Sequence, residues 1–261
     1  MKKILFTGAR SGISNSVIEK IKNKDYEIYI TVHTEIQCKM IKEKYKNYKN
    51  IKCFKIDVTN EKDKKKTNNL DIDILVCFAA IGNGGSIAEI NMNKVRENFE
   101  VNVFSNFEIV QLALKKMIKK DRGKVIMISS LAGILPLPFL GSYCATKSSI
   151  IMLSSVLKKE IKLISDNIKI ILIEPGMYHT GFNNVMLENK YDWMSIESYF
   201  KNQIDKIKKI ENIFFGILEK HNLDSISNKI VCAIEKNNPK FIYRSPLLQV
   251  IGVKLYQVFK T

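Results

Sequence analysis

The chain has 261 residues, of which 46% are hydrophobic, with 12 glycines and 5 prolines. This composition supplies enough apolar material for the core of one domain and excludes a disordered or collagen-like chain. The formal net charge of +16 favours polyanionic partners, but the lysines are spread over every region, so we expect no nucleic-acid binding.

The five cysteines are an odd number without a C-x-x-C pair, which indicates neither a disulfide framework nor a zinc site. The first apolar run, Ile4-Leu5-Phe6, is too short for a signal peptide. No stretch reaches the length of a transmembrane segment. We therefore expect a cytoplasmic protein that binds no metal ion.

Seven short apolar runs typical of β-strands alternate with helical patterns along the chain. They cover residues 3–7, 27–32, 51–56, 72–78, 124–129, 168–174 and 241–243. The runs at 74–78 and 125–128 are continuously apolar, as expected for strands that helices cover on both faces. The sequence predicts an α/β fold with one doubly wound parallel sheet of about seven strands, in a single domain spanning 1–261.

Three connecting segments carry further expectations. The charged connection between Val58 and Asp71 leaves room for a helix of one or two turns. Residues 181–230 lack strand signals, which predicts a helical insertion that acts as a substrate lid. The apolar segment 246–259 either covers the active site or forms a subunit interface. One apolar stripe at helical spacing is interpreted as core; it comprises Val95, Phe99, Val103, Phe107, Val110 and Leu114.

A glycine-containing turn follows the first strand and precedes a helix. It reads Thr7-Gly8-Ala9-Arg10-Ser11-Gly12-Ile13-Ser14. Glycines permit the turn and let backbone N–H groups approach a pyrophosphate at the helix N-terminus. We expect a dinucleotide to contact Gly8, Arg10, Ser11, Gly12 and Ile13, although an ordinary strand-to-helix turn is the alternative.

The end of the second strand bears on the choice of dinucleotide. NAD-binding folds of this kind usually place a carboxylate there to bind the adenosine ribose. This chain has Val32, His33 and Thr34 instead, with Arg10 nearby in the glycine turn. The residues therefore favour NADP(H) over NAD(H), with Arg10 and His33 beside the 2′-phosphate. In the alternative, Glu35 or a main-chain group binds the ribose hydroxyls.

Tyr143 and Lys147 stand four residues apart and share one helical face. A tyrosine with a pKa of about 10 is a poor base near neutrality, but an adjacent ammonium lowers that pKa. Lowering it by about three units requires roughly 4 kcal/mol. We expect the lysine, a positively charged nicotinamide and partial desolvation to supply this together.

These motifs resemble the short-chain dehydrogenase/reductase family. Ser130 ends the fifth strand 13 residues before Tyr143, as the serine of the family does. The resemblance implies that Ser130 binds the carbonyl oxygen, that Tyr143 transfers its proton, and that Lys147 also holds the nicotinamide ribose. Asn102 matches the family's fourth catalytic position.

Further positions match the family with some departures. The resemblance implies that five further residues contact the cofactor. They are Asp57, Val58, Pro175, Gly176 and Thr180. The family's Asn-Asn-Ala-Gly segment falls on Cys77-Phe78-Ala79-Ala80, so that only Ala79 is kept, with the small Ala80 beside it; both are expected at the cofactor. Ser14 replaces the third glycine of the turn.

The resemblance, which runs from the first strand to Thr180 and less clearly to the last strand, implies a Rossmann-like fold. It also implies an NAD(P)(H)-dependent oxidoreductase that interconverts a carbonyl and an alcohol, assembled as a homodimer or homotetramer. The sequence of residues 173–176 and the apolar C-terminal segment resemble those of family members that act on lipophilic small molecules. The departures motivate an alternative, a catalytically silent NAD(P)-binding sensor or scaffold, against which the complete catalytic set argues.

Overall fold

A computed structural model describes residues 1–10 and 12–259, and seven parallel strands form one sheet within them. The order across the sheet is β3-β2-β1-β4-β5-β6-β7. This confirms the doubly wound sheet, and every predicted run overlaps a strand. The strands are β1 (Lys2–Thr7), β2 (Tyr26–Val32), β3 (Ile51–Lys55), β4 (Ile74–Cys77), β5 (Gly123–Ile128), β6 (Ile168–Pro175) and β7 (Ile242–Ser245).

Helices connect the strands and cover both faces of the sheet. The helices are α1 (Gly12–Ile21), α2 (Glu35–Lys44), α3 (Glu61–Lys66), α4 (Met92–Phe99), α5 (Ser105–Lys120), α6 (Gly141–Ile164), α7 (Phe182–Glu197), α8 (Ile204–Leu218), α9 (Asp224–Glu235) and α10 (Leu247–Phe259). The short α3 agrees with the one or two turns expected there. Among the described residues, no helix has the length and apolar character needed to cross a membrane.

The core consists of two apolar layers on opposite faces of the sheet. Ile4 and Phe6 of β1 pack in the layer that includes α1, α2 and α9, whereas Leu5 packs in the layer that includes α5 and α6. Side chains of a strand alternate between faces, so burial on both sides requires every position to be apolar. This explains the continuous apolar runs of the central strands.

The helical stripe predicted from Val95 to Leu114 is wrong at its first two positions. Residues Glu100–Phe104 form one π-helical turn between α4 and α5. Its wider turn changes the face that the preceding residues present. As a result Val95 and Phe99 line a cavity, while Val103, Val110 and Leu114 are buried as predicted.

The winding of the chain reverses between β1 and β4, which are neighbours in the sheet. Crossovers lead from β1 outward to β2 and β3 on one side, and from β4 to β7 on the other. In open parallel sheets the loops diverge at such a point and leave a crevice at the carboxyl ends of the strands. The fold therefore places a cleft beside the glycine turn that follows β1.

The helical insertion is shorter than the predicted 181–230. Helices α7 and α8 line the cleft, but the chain from Asp224 onward forms α9, which packs against α1, β6 and β7. Its residues Ile226, Ile230 and Ala233 are fully buried in the core. Residues 224–230 thus belong to the crossover to β7, and α7 and α8 are the candidates for a lid.

Candidate active site

A cavity of about 2120 Å³ opens at the carboxyl ends of the strands. Residues from the ends of β1 to β6 line it, as expected at the switch point of such a sheet. Nearly all of the predicted cofactor contacts lie in this lining; Ser11 is outside the described residues. The lining includes Gly8, Arg10, Gly12, Ile13, His33, Asp57, Val58, Ala79, Ala80, Ser130, Tyr143, Lys147, Pro175, Gly176 and Thr180.

The glycine turn forms a cradle of bare backbone at one end of the cavity. Gly8 and Gly12 have φ angles of +61° and +62°, a region that glycine adopts without strain. A Cβ atom on Gly8 would lie 2.5 Å from Cα of Ala79, and one on Gly12 would lie 2.8 Å from Cβ of Thr180. The turn is therefore pressed against the ends of β4 and β6, with α1 beginning at Gly12. This arrangement fits a pyrophosphate, because the helix N-terminus and the unobstructed backbone attract anions.

Arg10, His33 and Asp57 line the cavity near the end of β2. His33 is exposed, and its Nδ1 lies 3.8 Å from Oδ1 of Asp57. Asp57 also accepts hydrogen bonds from the backbone N and hydroxyl of Thr59, at 2.9 and 2.8 Å. The lining in the described residues includes Arg10 and His33 but not Glu35, which is exposed in the first turn of α2.

Lys147 extends from α6 to the end of β5. Its Nζ donates to the carbonyl oxygen of Ile128 at 3.1 Å and lies 5.6 Å from the ring centroid of Tyr143. Lys147 is 3% exposed, so its charge is almost completely removed from solvent. The hydroxyl of Ser130 donates to the Pro175 carbonyl at 3.3 Å and lies near the Tyr143 hydroxyl, whose pKa it lowers. The structure thus brings Ser130, Tyr143 and Lys147 together.

Burial shifts both titratable groups toward their neutral forms. It raises the pKa of Tyr143 above its usual range, and the hydrogen bond to Ser130 opposes this only in part. Burial lowers the pKa of Lys147 to about 8. The expectation that desolvation helps to lower the pKa of the tyrosine is therefore wrong in sign. In the protein alone, Tyr143 is a neutral phenol near pH 7.

Three asparagines four residues apart hold the chain that continues from β4. Asn102 accepts from the Ile81 N–H at 2.8 Å and donates to the Ile81 carbonyl at 2.9 Å. Asn98 makes the same pair of bonds with the N–H and carbonyl of Asn83, each at 2.9 Å. Asn106 donates to the Ala79 carbonyl at 2.9 Å. All three are buried, and these bonds engage both amide groups of Asn98 and Asn102, whereas Oδ1 of Asn106 accepts no hydrogen bond from the described residues.

We call Asn98, Asn102 and Asn106 the asparagine ladder. The ladder supplies hydrogen bonds that the side chains of Cys77 and Phe78 do not provide. Phe78 instead packs against Phe6, with ring centroids 6.3 Å apart. The sequence interpretation identified only Asn102; the regular spacing of Asn98, Asn102 and Asn106 on an apolar helix was the available signal. Asn102 lies behind the cavity lining rather than in it, and the ladder fixes the backbone beside the glycine turn.

Two further contacts fasten the turn of α6 that carries Tyr143 and Lys147. The hydroxyl of Thr146 accepts from Asn102 at 3.1 Å and donates to the Tyr143 carbonyl at 2.8 Å. The hydroxyl of Ser129 donates to the Lys147 carbonyl at 2.7 Å. Thr146 and Ser129 were missed because a buried hydroxyl facing a helix backbone has no sequence signature.

The far end of the cavity is apolar. Phe182, the first residue of α7, lies above Tyr143 with ring centroids 5.7 Å apart. Helices α7, α8 and α10 and the loop before α6 contribute most of the surface there. Their apolar lining residues are Leu135, Leu137, Pro138, Phe139, Val185, Met186, Ile207, Ile210, Phe214, Phe215, Leu218, Leu248 and Val253.

A buried ion pair joins the two helices of the insertion. Nζ of Lys190 in α7 is fully buried and lies 2.5 and 2.7 Å from the carboxylate oxygens of Glu211 in α8. Tyr191 also donates to Glu211. A second contact, between Nδ1 of His179 and Glu219 at 2.9 Å, holds the segment before α7 to the end of α8.

The comparison with known proteins follows the same lines. The family model described as short chain dehydrogenase matches residues 2–190, which is more than half of the chain. The chain belongs to the short-chain dehydrogenase/reductase family. It is accordingly an NAD(P)-dependent oxidoreductase that acts on small molecules.

Individual relatives cover most of the chain at low identity. A probable short-chain type dehydrogenase/reductase, VdlC, of Helicobacter pylori is 26% identical over 97% of this chain and 92% of its own length. An NADPH-dependent 3-dehydrocapnine reductase of Ornithobacterium rhinotracheale is 28% identical over 80% and 79%. A short-chain dehydrogenase/reductase of Burkholderia phymatum, solved with NAD, superposes with a TM-score of 0.83 at 18% identity, covering 98% of this chain and 93% of that one.

The burial of Lys147 predicts an opposition between stability and activity. Lowering its pKa from 10.5 to about 8 corresponds to an unfavourable free energy of about 3 kcal/mol for the charged folded form. Lys147→Met should therefore raise the free energy of unfolding at pH 7 by up to about 3 kcal/mol, although the reaction is lost. Denaturant unfolding of both proteins measures the difference.

The sign of the pH dependence provides the control. Between the folded pKa of about 8 and the unfolded value of about 10.4, the unfolded chain binds the proton that the folded chain has released. Wild-type stability therefore rises relative to that of Lys147→Met over this window. A variant that is less stable at pH 7, with a difference that does not depend on pH, would contradict the assignment.

Proposed function

We propose that the protein is a carbonyl reductase or alcohol dehydrogenase that prefers NADP(H) and acts on a lipophilic substrate through Tyr143. The observation that carries this proposal is the position of the Tyr143 hydroxyl. Ser130 lies close enough to this hydroxyl to lower its pKa, the ammonium of Lys147 lies 5.6 Å from the centre of the Tyr143 ring, and Tyr143 lines a cavity with an apolar far end.

Two regions of the cavity would bind the two ends of the cofactor. Gly8, Gly12 and the N-terminus of α1 would hold the pyrophosphate, and Asp57 and Val58 the adenine. Lys147, Pro175, Gly176 and Thr180 would hold the nicotinamide end. The bound nicotinamide supplies hydride to the substrate carbon or accepts it.

The proton chemistry follows from the state of Tyr143. Because burial raises its pKa, the phenol keeps its proton at neutral pH and can donate it to a carbonyl oxygen during reduction. Ser130 hydrogen-bonds the same oxygen and orients the carbonyl. The ammonium of Lys147 stabilises the phenolate that remains, since two opposite charges interact strongly when both are buried. Asn102 acts on this pair only through Thr146 and is a positioning residue.

The cofactor preference depends on the end of β2. Arg10 and His33 line the cavity, so a 2′-phosphate would meet a guanidinium group and an imidazole that can donate hydrogen bonds. The relative named as an NADPH-dependent reductase supports this preference, and the superposed structures include one solved with NADP as well as one solved with NAD.

The rest of the proposal concerns the substrate and the assembly of the protein. An apolar surface favours substrates whose nonpolar part is large, which agrees with the lipophilic class expected from the sequence. Helices α7 and α8, joined by Lys190 and Glu211, are placed to close over such a substrate. Assembly into a homodimer or homotetramer stays a prediction, as does the cytoplasmic location.

Tyr143→Phe tests the catalytic assignment. Loss of the hydroxyl removes the proton donor and should lower turnover by about a hundredfold to ten-thousandfold, while NADPH binding stays nearly unchanged. The measurement is oxidation of NADPH with a panel of lipophilic ketones and aldehydes. Tyr199→Phe is the matched control, because Tyr199 is 83% exposed.

Full activity of Tyr143→Phe would refute this role. A wild-type protein that binds NADPH tightly but reduces no carbonyl in the panel would instead favour the silent sensor.

The cofactor preference has a separate test. Wild-type protein should bind NADPH more tightly than NADH, and His33→Asp should weaken NADPH binding by at least about tenfold, or 1.4 kcal/mol, through repulsion of the 2′-phosphate. Fluorescence titration of the reduced cofactors measures both affinities. Asn47→Asp adds the same charge at an exposed position in the loop after α2 and should have little effect. Tighter binding of NADH by the wild type would overturn the preference.

A further inference from the structure

Two helices at the open end of the cavity, α8 and α10, expose several large apolar side chains to solvent. On α8, Ile213 and Ile217 are 54% and 77% exposed. On α10, Leu248, Leu255 and Phe259 are 76%, 53% and 76% exposed. Isolated exposed apolar residues are ordinary, but a contiguous group of this size marks a binding surface.

The exposed residues follow helical spacing and form one row on each helix. Ile210, Ile213 and Ile217 recur at three and four residues along α8. Leu248, Ile251, Leu255 and Phe259 do so along α10. We call these two rows the apolar rim. Each helix therefore presents an amphipathic surface that the described protein leaves uncovered.

The apolar rim is continuous with the cavity. Ile210 and Phe214 of α8 line the cavity and are nevertheless 57% and 44% exposed, and Leu248 does the same on α10. The side chain of Gln249 connects the two helices by donating to the Leu218 carbonyl at 2.7 Å. The rim and the apolar far end of the cavity thus share residues of both helices.

Exposed lysines accompany the rim. Lys206 and Lys209 lie on α8 and Lys254 on α10, and all three are exposed. Glu211 of α8 is paired with the buried Lys190, so Asp205 is the exposed carboxylate of α8, and α10 contains no acidic residue. The whole chain adds a net charge of +16. A row of Ile, Leu and Phe flanked by lysines is the pattern of a helix that lies in a membrane interface.

We propose that α8 and α10 dock the protein on the surface of an anionic lipid bilayer, with the apolar rim in the acyl boundary and the cavity mouth facing the lipid. Lysines near the surface gain attraction from anionic headgroups, and the apolar rows gain from leaving water. A second copy is a poorer occupant, because a symmetric contact would bring like-charged lysines together and close the cavity mouth. The proposal does not depend on the substrate or on the reaction.

The test is co-sedimentation of the full chain with vesicles, without cofactor or substrate. Vesicles of phosphatidylcholine with phosphatidylglycerol should bind the protein, and vesicles of phosphatidylcholine alone should bind it weakly. The triple variant Ile213→Ser, Ile217→Ser, Leu255→Ser should lower the partition coefficient at least about tenfold. None of these three residues is assigned to the catalytic or cofactor machinery.

A matched triple variant on α6 provides the control. Met152→Ser, Val156→Ser, Leu163→Ser removes three exposed apolar side chains far along the chain from the rim and should leave vesicle binding unchanged. Lys206→Glu with Lys209→Glu should abolish the preference for anionic vesicles. Thermal unfolding checks that each variant is folded.

Three results would overturn the proposal. The first is failure of the wild type to bind anionic vesicles, and the second is equal loss of binding in the α6 control. The third is a wild type that sediments as a dimer and does not bind vesicles, together with a rim variant that sediments as a monomer. This result would make the rim an interface between copies.

Discussion

The buried ammonium of Lys147 is the constraint on which the arrangement of the site depends. A charge that is 3% exposed needs fixed partners, because leaving it unpaired in a low dielectric is costly. The Ile128 carbonyl is one such partner, and it lies at the end of β5 directly before Ser129 and Ser130. Hydrogen bonds from Ser129 to the Lys147 carbonyl and from Asn102 through Thr146 then hold the same helical turn. The position of Tyr143 is a consequence of these contacts.

The cavity joins two environments that the two halves of the reaction require. The strand ends present backbone amides and a lysine to a charged cofactor, whereas α7, α8 and α10 present an apolar surface to the rest of the substrate. The asparagine ladder of Asn98, Asn102 and Asn106 holds the chain between these environments. Because it bonds backbone atoms, it allows Cys77 and Phe78 to serve the core instead. The apolar lining of the cavity also includes Ile210 and Leu248, which belong to the rim on α8 and α10.

Much of the fold could be predicted from the sequence because local patterns determine it. Continuous apolar runs gave the parallel strands, and the glycines at positive φ gave the turn after β1. The spacing from Ser130 to Tyr143 and Lys147 brought together residues that the structure also brings together. The π-helical turn at Glu100–Phe104 could not be predicted, since one inserted residue leaves the apolar composition unchanged. The Lys190–Glu211 pair was also inaccessible, because its partners meet only after α7 and α8 pack. The direction of the pKa shift of Tyr143 was predicted wrongly, because it depends on the burial of the side chain and not on the neighbouring lysine alone.

The central claim is that this cavity transfers hydride between a nicotinamide and a carbonyl carbon while Tyr143 supplies the proton. The most direct measurement uses NADPH deuterated at the transferable position of its ring, a lipophilic ketone or aldehyde, and mass spectrometry of the product. The account predicts an alcohol with deuterium bound to the former carbonyl carbon, formed in proportion to the NADPH consumed. An alcohol without deuterium, or consumption of NADPH without any alcohol, would contradict it.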